Sequence, residues 1–307
     1  MKQIKNKIKK NIQEIVLGFN HKFSSHIANN FSYICRAEYL SNSALNSIET
    51  GISDNRYFDY NIIVSLTTYG RRLYEVYLAI ESIMQQSFKP NKIILWLSND
   101  FKNIEIPKVL KNQQNRGLEI KYCKDIKSYK KLIPALQEYP SDAILTFDDD
   151  HLYHFDLIEN FIISLKNNPN IIHSGKMHRM KLINKNKFEK YNKWTHKYPN
   201  YDISPLNFPT GVGGILYPPN CFVDEIFNEK VFMNICQYAD DIWFKAMSLS
   251  KGVFSKKVFT HNISGGDHLR NENSQYSSLS QINVNKNMND IQIKAVFDKY
   301  NLYEKLY

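Results

Sequence analysis

Three consecutive carboxylates, Asp148-Asp149-Asp150, follow directly on the apolar run AILTF. Like charges this close raise one another's pKa, so the cluster is expensive unless a cation uses it. Hard carboxylate oxygens suit Mg²⁺ or Mn²⁺, ions that bridge protein carboxylates to substrate phosphates. A cation held there neutralises charge developing on a departing diphosphate, as when a sugar–phosphate bond breaks. Asp150 is the expected main ligand. Asp148 either shares the metal or reaches hydroxyls of the phosphate-bearing substrate, and Asp149, alternating away, supports the turn. A second pair, Asp240-Asp241, follows Ala239. A substrate hydroxyl is a poor nucleophile at neutral pH, and a carboxylate within hydrogen-bond reach serves as its base. Adjacent helical residues point about 100° apart, so only one of the two faces a reaction centre. Asp241 is the expected base, with Asp240 binding hydroxyls or capping the helix.

Other polar groups fall near these two. Thr67, Thr68 and Tyr69 close the apolar run IIVSL and are candidates to line a nucleotide pocket. Arg71, Arg72, Lys130 and Lys131 are candidates for phosphate contacts. The glycine-rich Thr210-Gly211-Val212-Gly213-Gly214 lets backbone approach a ligand. Gly213, Gly214 and Trp243 are the candidate acceptor contacts. His261 is a candidate further metal ligand, with His268 behind it. Neither GxxxxGK[ST] nor GxGxxG is present, so no phosphate-binding loop of those kinds is expected.

The elements that must position these groups are legible as alternating patterns. IIVSLTTYG reads as a buried strand, and RRLYEVYLAIESIMQQS as the helix after it. KPNKIILWLSND and LEIKYCKD read as two more strands. SYKKLIPALQEY reads as a helix interrupted near Pro134, and DAILTF as the strand that delivers the three acids. Strands alternating with helices imply βαβ units and a mostly parallel sheet. In such sheets ligands bind at the carboxyl ends of the strands, where the three acids fall. Further on, FDLIENFIISLKNNP is an amphipathic helix. EIFNEKVFMNICQYADDIWFKAMSLSKG reads as helical with the acid pair inside it. KKVFTHNISGGDH is a last strand and loop, and a C-terminal helix starts near Asn289.

With 307 residues and 43% hydrophobic content, the chain supports one large α/β domain or one domain with an appendage. Its formal charge of +10 favours anionic partners. No nucleic-acid recognition motif accompanies that charge, and no nucleic-acid partner is expected. The four cysteines, Cys35, Cys123, Cys221 and Cys236, are scattered and resemble neither a disulfide framework nor a zinc site, which points to a reducing cytoplasm. No run approaches the roughly 20 apolar residues of a membrane helix. The N-terminal segment places Ile4, Ile8, Ile12, Ile15 and Val16 at helical spacing among lysines. Such a helix either lies on anionic lipid or docks on the protein's own body. Residues 173–197, basic with Glu189 their only acid, either approach anionic headgroups or form an acceptor loop that orders over a bound donor.

The motifs VSLTTYGRR, KPNKIILWLS, SYKKLIPAL, ILTFDDD, FPTGVGGILYPP and ADDIWF together resemble the GT-A glycosyltransferases, particularly bacterial family-2-like enzymes of capsule and lipopolysaccharide assembly. FDDD stands where that family carries its DxD metal motif, and ADD where it carries an acidic pair whose second member is the base. The resemblance implies a Rossmann-like GT-A domain over residues 59–270, after an N-terminal helical extension (1–58) and before a polar stretch and C-terminal helix (271–307). It implies a Mn²⁺ or Mg²⁺ cofactor, a UDP-sugar or similar nucleotide-sugar donor, and a saccharide or lipid-linked glycan acceptor. Under it Thr67 and Tyr69 face the nucleotide, and Lys131 its pyrophosphate or base. The chain departs from the family where Thr67-Thr68-Tyr69 replaces a proline after the first strand, and where the acid after the second strand is displaced to Asn99-Asp100. A sugar nucleotidyltransferase is the nearest competing enzyme, though it normally carries a glycine-rich N-terminal loop. A non-catalytic carbohydrate-binding scaffold is the competitor outside enzymes. A phosphate-receiver domain is about half this length.

Overall fold

The computed structural model describes residues 27–262, 267–270 and 287–307. The basic segment 1–19, and its expected helix, lie outside them. A helix, α1, covers 27–46. The central sheet begins with β1 (Ile62–Thr67), followed by α2 (Val76–Met84), β2 (Lys92–Ser98), α3 (Lys108–Gln114), β3 (Leu118–Cys123), α4 (Ile133–Glu138) and β4 (Ala143–Thr146). The helical stretch is broken beside Pro134, as expected: a 3₁₀ turn covers Lys127–Lys131, and Pro134 occupies the first turn of α4, where its missing N–H has no helical partner anyway.

After β4 come the short β5 (His151–Tyr153), then α5 (Leu157–Asn167), β6 (Ile172–Ser174), β7 (Met177–Arg179), β8 (Leu182–Asn184), β9 (Lys187–Phe188), β10 (Asn207–Pro209) and β11 (Ile215–Tyr217). The chain closes through α6 (Glu229–Ile235), α7 (Asp240–Lys251), β12 (Ser255–Lys257), β13 (His268–Arg270) and α8 (Met288–Tyr300). The seven-stranded sheet runs β12-β6-β11-β4-β1-β2-β3. All its pairings are parallel except the two made by β11.

The strands are continuous apolar runs because both faces of the sheet are covered. Ile63, Ile94, Trp96, Ile144 and Ile215 face one apolar cluster, shared with α7 and α8. Ile62, Val64, Leu66, Ile93, Leu95, Leu145 and Leu216 face the other, shared with α2 and α5. Two buried polar groups on these strands have specific work. The Ser65 hydroxyl donates to the Lys131 carbonyl at 2.6 Å and accepts from the Trp96 indole N–H at 3.0 Å. This fixes the turn carrying Lys131 against the sheet.

The stretch read as one helix around the acid pair is two. Helix α6 ends at Ile235, and α7 starts at Asp240. The acids therefore sit in the first turn of α7, where the positive end of the helix dipole favours them. Among the described residues no helix is long and apolar enough to cross a membrane.

Candidate active site

The carboxyl ends of β1, β2 and β4 open into one cleft of about 1050 Å³. Both acidic clusters line it. The turn after β4 is held by Tyr153, whose hydroxyl receives the Asp148 N–H at 2.9 Å and donates to the Asp148 carbonyl at 3.2 Å. Strand β5, which carries Tyr153, is in turn fixed by α2. The Ser82 hydroxyl accepts the Tyr153 N–H at 3.1 Å, and Gln86 reaches the His154 carbonyl at 2.6 Å and the Ile158 N–H at 2.9 Å.

The three acids play different parts. Asp149 is buried and turned inward, accepting from Thr68 Oγ1 at 2.6 Å and pairing with Arg72 at 2.7 Å. Burial pushes its carboxyl up to about 6, against the pull of Arg72 and with a further push from Asp150 and Asp148. Asp148 and Asp150 alternate away from it. With His151 they offer three donor atoms within 4.8 Å of one another. His151 is 4% exposed. Its Nδ1 lies 2.6 Å from Asp150 Oδ1 but is not aligned as a hydrogen bond, and neither ring nitrogen has a hydrogen-bond partner. A buried imidazole with both nitrogens unspent among the described residues, beside two carboxylates, is a donor set that fits a divalent cation. The residues present fit the cation their chemistry implies. Sequence reasoning passed over His151, which the pattern offered only as the neighbour of the third acid.

Lys131 joins the two clusters. Its Nζ stands 3.1 Å from Asp148 Oδ1 and 3.1 Å from Asp240 Oδ2. Burial alone would push this ammonium down, but Asp148, Asp240 and Asp241 reverse that and hold it well above the usual lysine range. Gly211 is where the chain needs a glycine: a Cβ there would sit 2.7 Å from Lys131 Nζ and 3.2 Å from Asp148 Oδ1. The Gly211 N–H donates to Asp241 Oδ2 at 3.1 Å, while Asp241 Oδ1 is buried with no partner. Burial first, then Asp240, pushes the Asp241 carboxyl up to about 7, with Lys131 pulling the other way. A carboxyl so placed is half-ionised near neutrality, as a general base should be.

The remaining candidates divide. Thr67 and Tyr69 line the cleft; the Thr67 hydroxyl donates to the Trp96 carbonyl at 2.8 Å, and the Arg72 guanidinium lies 5.1 Å from the Tyr69 ring centre. Five of the expected site residues do not line the cleft. Arg71 is exposed and outside the cleft, and Arg72 takes the inward place, bridging Asp149 and Asp150. Trp243 is fully buried, its indole N–H on the Ile226 carbonyl at 3.1 Å, because the inner face of α7 packs on the core. Gly213 lies against backbone, where a Cβ would come 2.5 Å from the Lys176 nitrogen, and Gly214 lies against the Phe147 ring; neither opens to the cleft. His261 stands in a separate cluster with His154, Asp156 and Asp267, outside the group formed by Asp148, Asp150 and His151. Lys130 pairs with Asp125.

The far wall carries Tyr191, Lys176 and Lys197 from the basic 173–197 segment, together with Phe208 and Tyr238, which sequence reasoning did not single out. Tyr rings offer a flat apolar face with a polar end, the form that stacks on sugars or bases. Helix α8 fixes both tyrosines: Asp290 Oδ1 accepts the Tyr191 N–H at 2.7 Å, and Gln292 Oε1 the Tyr238 N–H at 2.9 Å.

Fold and site together define an α/β protein whose mostly parallel sheet presents a carboxylate–imidazole cluster and a buried acid pair to one cleft. No protein-family model matches the chain, and no curated protein matches it in sequence. Solved structures similar to it include residues 1–349 of TarS from S. aureus, with a TM-score of 0.43 at 11% identity, covering 78% of this chain and 71% of that one. The mannosyltransferase PcManGT from Pyrobaculum calidifontis, in complex with GDP-Man and Mn²⁺, gives 0.41 at 13% identity over 76% of this chain and 63% of its own. The inositol-1-phosphate CTP transferase from T. maritima gives 0.40 at 10% identity over 78% and 97%. Likenesses this distant leave the functional reading to the residues of the cleft.

Proposed function

We propose that this chain is a divalent-metal-dependent glycosyltransferase that moves a sugar from a nucleotide-sugar donor to an acceptor hydroxyl. The observation that carries the reading is the shared lysine: one buried ammonium stands 3.1 Å from both Asp148 and Asp240. Leaving-group chemistry and base chemistry are thereby set against each other across one cleft. Asp148, Asp150 and His151 would hold the metal, which supplies charge neutralisation at the departing diphosphate. Thr67 and Tyr69 line the donor side. Tyr191, Phe208 and Tyr238 offer ring faces to the acceptor. Asp241, with Oδ1 unpartnered, takes the proton of the attacking hydroxyl as that oxygen reaches the anomeric carbon. The sugar–phosphate bond breaks on the opposite side, so the displacement is direct and inverts configuration. Lys131 then faces a neutral Asp241 and a newly charged diphosphate, and it is anchored to serve either.

A nucleotidyltransferase fits less well. Its nucleophile is a phosphate, already ionised, which needs no base and would leave the buried Asp241 without a role. The resemblance found in the sequence supports a UDP-sugar donor, a glycan or lipid-linked acceptor, and bacterial surface-polysaccharide synthesis at the inner face of the membrane. These finer assignments belong to the proposal.

The test is a thermal-shift screen of nucleoside diphosphates and nucleotide sugars, each with and without Mn²⁺. Ligand at a hundred times its Kd stabilises a protein by about 2.7 kcal/mol. We expect a Mn²⁺-dependent rise with one nucleotide and none in Asp150→Ala. If no nucleotide gives a Mn²⁺-dependent rise in the parent protein, the proposal fails.

A further inference from the structure

His261 does not join the acids after β4, but it is not isolated. Its Nε2 lies 2.7 Å from Asp156 Oδ2, and His154 Nδ1 lies 2.6 Å from Asp156 Oδ1. The two imidazole centres are 4.5 Å apart. Asp267 completes the group: each of these four residues offers a donor atom, and all four atoms lie within 4.8 Å of one another. Asp267 is 5% exposed, and its two oxygens accept the N–H groups of His261 at 2.8 Å and Asn262 at 2.9 Å. Both histidines are half open to solvent, which gives an ion a way in.

From this geometry we infer a second metal site, separate from the cleft, formed by His154, Asp156, His261 and Asp267 and suited to Zn²⁺. Two imidazole nitrogens and two carboxylate oxygens are a closed four-ligand set for that ion. Bonds of about 2.0–2.1 Å in a tetrahedron put ligand atoms about 3.3 Å apart. The donor atoms here start 2.6 Å and 2.7 Å apart and all lie within 4.8 Å of one another, so side-chain adjustment suffices to reach that value. The backbone hydrogen bonds to Asp267 hold a ligand carboxylate in place, as outer partners do at metal sites. No open coordination position is left, so the ion's role is structural. It pins His261 and Asp267, the latter directly before β13, onto the turn between β5 and α5. Strand β13 pairs with β5, placing Arg270 opposite His151. The ion therefore braces the strand beside the catalytic cleft from a point outside it.

Co²⁺, whose visible absorption reports four-coordination, is the probe. It is titrated into the Asp150→Ala protein, whose cleft site is removed, and Zn²⁺ is then added as competitor. We expect one Co²⁺ per chain, displaced by Zn²⁺, with affinity weakened on the order of 100-fold by adding His154→Ala or His261→Ala. Should Asp150→Ala not fold, His154→Ala alone is expected to lower the parent's Co²⁺ stoichiometry from two to one. Absence of a bound ion in the Asp150→Ala protein, or equal affinity with and without the histidines, overturns the site. Neither result touches the Mn²⁺-dependent nucleotide binding that tests the transferase reading.

Discussion

Asp241→Asn should abolish turnover and yet make the protein harder to unfold. The carboxyl of Asp241 is pushed from its ordinary 3.8 up to about 7. Between those values the native state keeps a proton that the unfolded chain has released. Stability therefore falls as pH rises from about 4 to about 7, and above 7 the folded protein carries the full cost of a buried anion. At about 1.4 kcal/mol per pH unit that cost is at most about 4 kcal/mol, part of it shared with Asp240. Asparagine has the same shape, can still accept the Gly211 N–H, and carries no charge. Lys131 keeps Asp148 and Asp240. Unfolding entropy of about 2.1 cal/mol/K per residue over 307 residues converts about 4 kcal/mol into a Tm rise of about 6 °C. The assay is a pair of melting curves at pH 8 and pH 5 in EDTA, for parent and variant. The variant should melt higher at pH 8, with the gain shrinking toward pH 5. Donor turnover should fall by on the order of 10²–10⁴-fold, and in the parent it should rise with pH through about 7. A variant that melts lower than the parent at pH 8, or that turns over within about tenfold of it, refutes the assignment of Asp241 as a strained base.

Two further substitutions probe the frame around it. Gly211→Ala puts a methyl group 2.7 Å from Lys131 Nζ and 3.2 Å from Asp148 Oδ1, so the ammonium must shift against Asp148; turnover should drop on the order of 10²-fold while far-UV dichroism stays that of the parent. Arg72→Ala leaves Asp149 buried without its cation, a loss of about 3–5 kcal/mol at pH 8. The loss should be smaller at pH 5, where Asp149 can take up a proton, and urea denaturation at the two pH values reads the difference.

What the sequence disclosed followed from local regularity. Short β-branched runs such as IIVSL and KIILWL between turn signals read as strands covered on both faces, and an acidic triplet at the end of such a run marks the carboxyl edge of a parallel sheet. The inward turn of Asp149, away from its two neighbours, also agrees with alternation along the chain. What stayed hidden depends on rotation or on distant pairing. Arg71 and Arg72 are adjacent in a short 3₁₀ turn, and nothing in their identity says which points inward. Trp243 belongs to a helix whose buried face has no distinctive spacing in this aromatic-rich chain. His151 becomes a candidate ligand only when burial turns its ring beside Asp150 with no other partner among the described residues, and His261 is drawn to Asp156 across 105 residues.

The hydrogen bonds from α8 impose an order on the molecule's assembly. Asp290 reaches back 99 residues to Tyr191, and Gln292 reaches back 54 to Tyr238. Until α8 emerges from the ribosome, the far-wall tyrosines lack their tethers and one apolar cluster of the sheet lacks Ile293, Val296 and Phe297. A chain cut short of α8 therefore loses the tethers of its far wall and part of the cover on the sheet at one stroke.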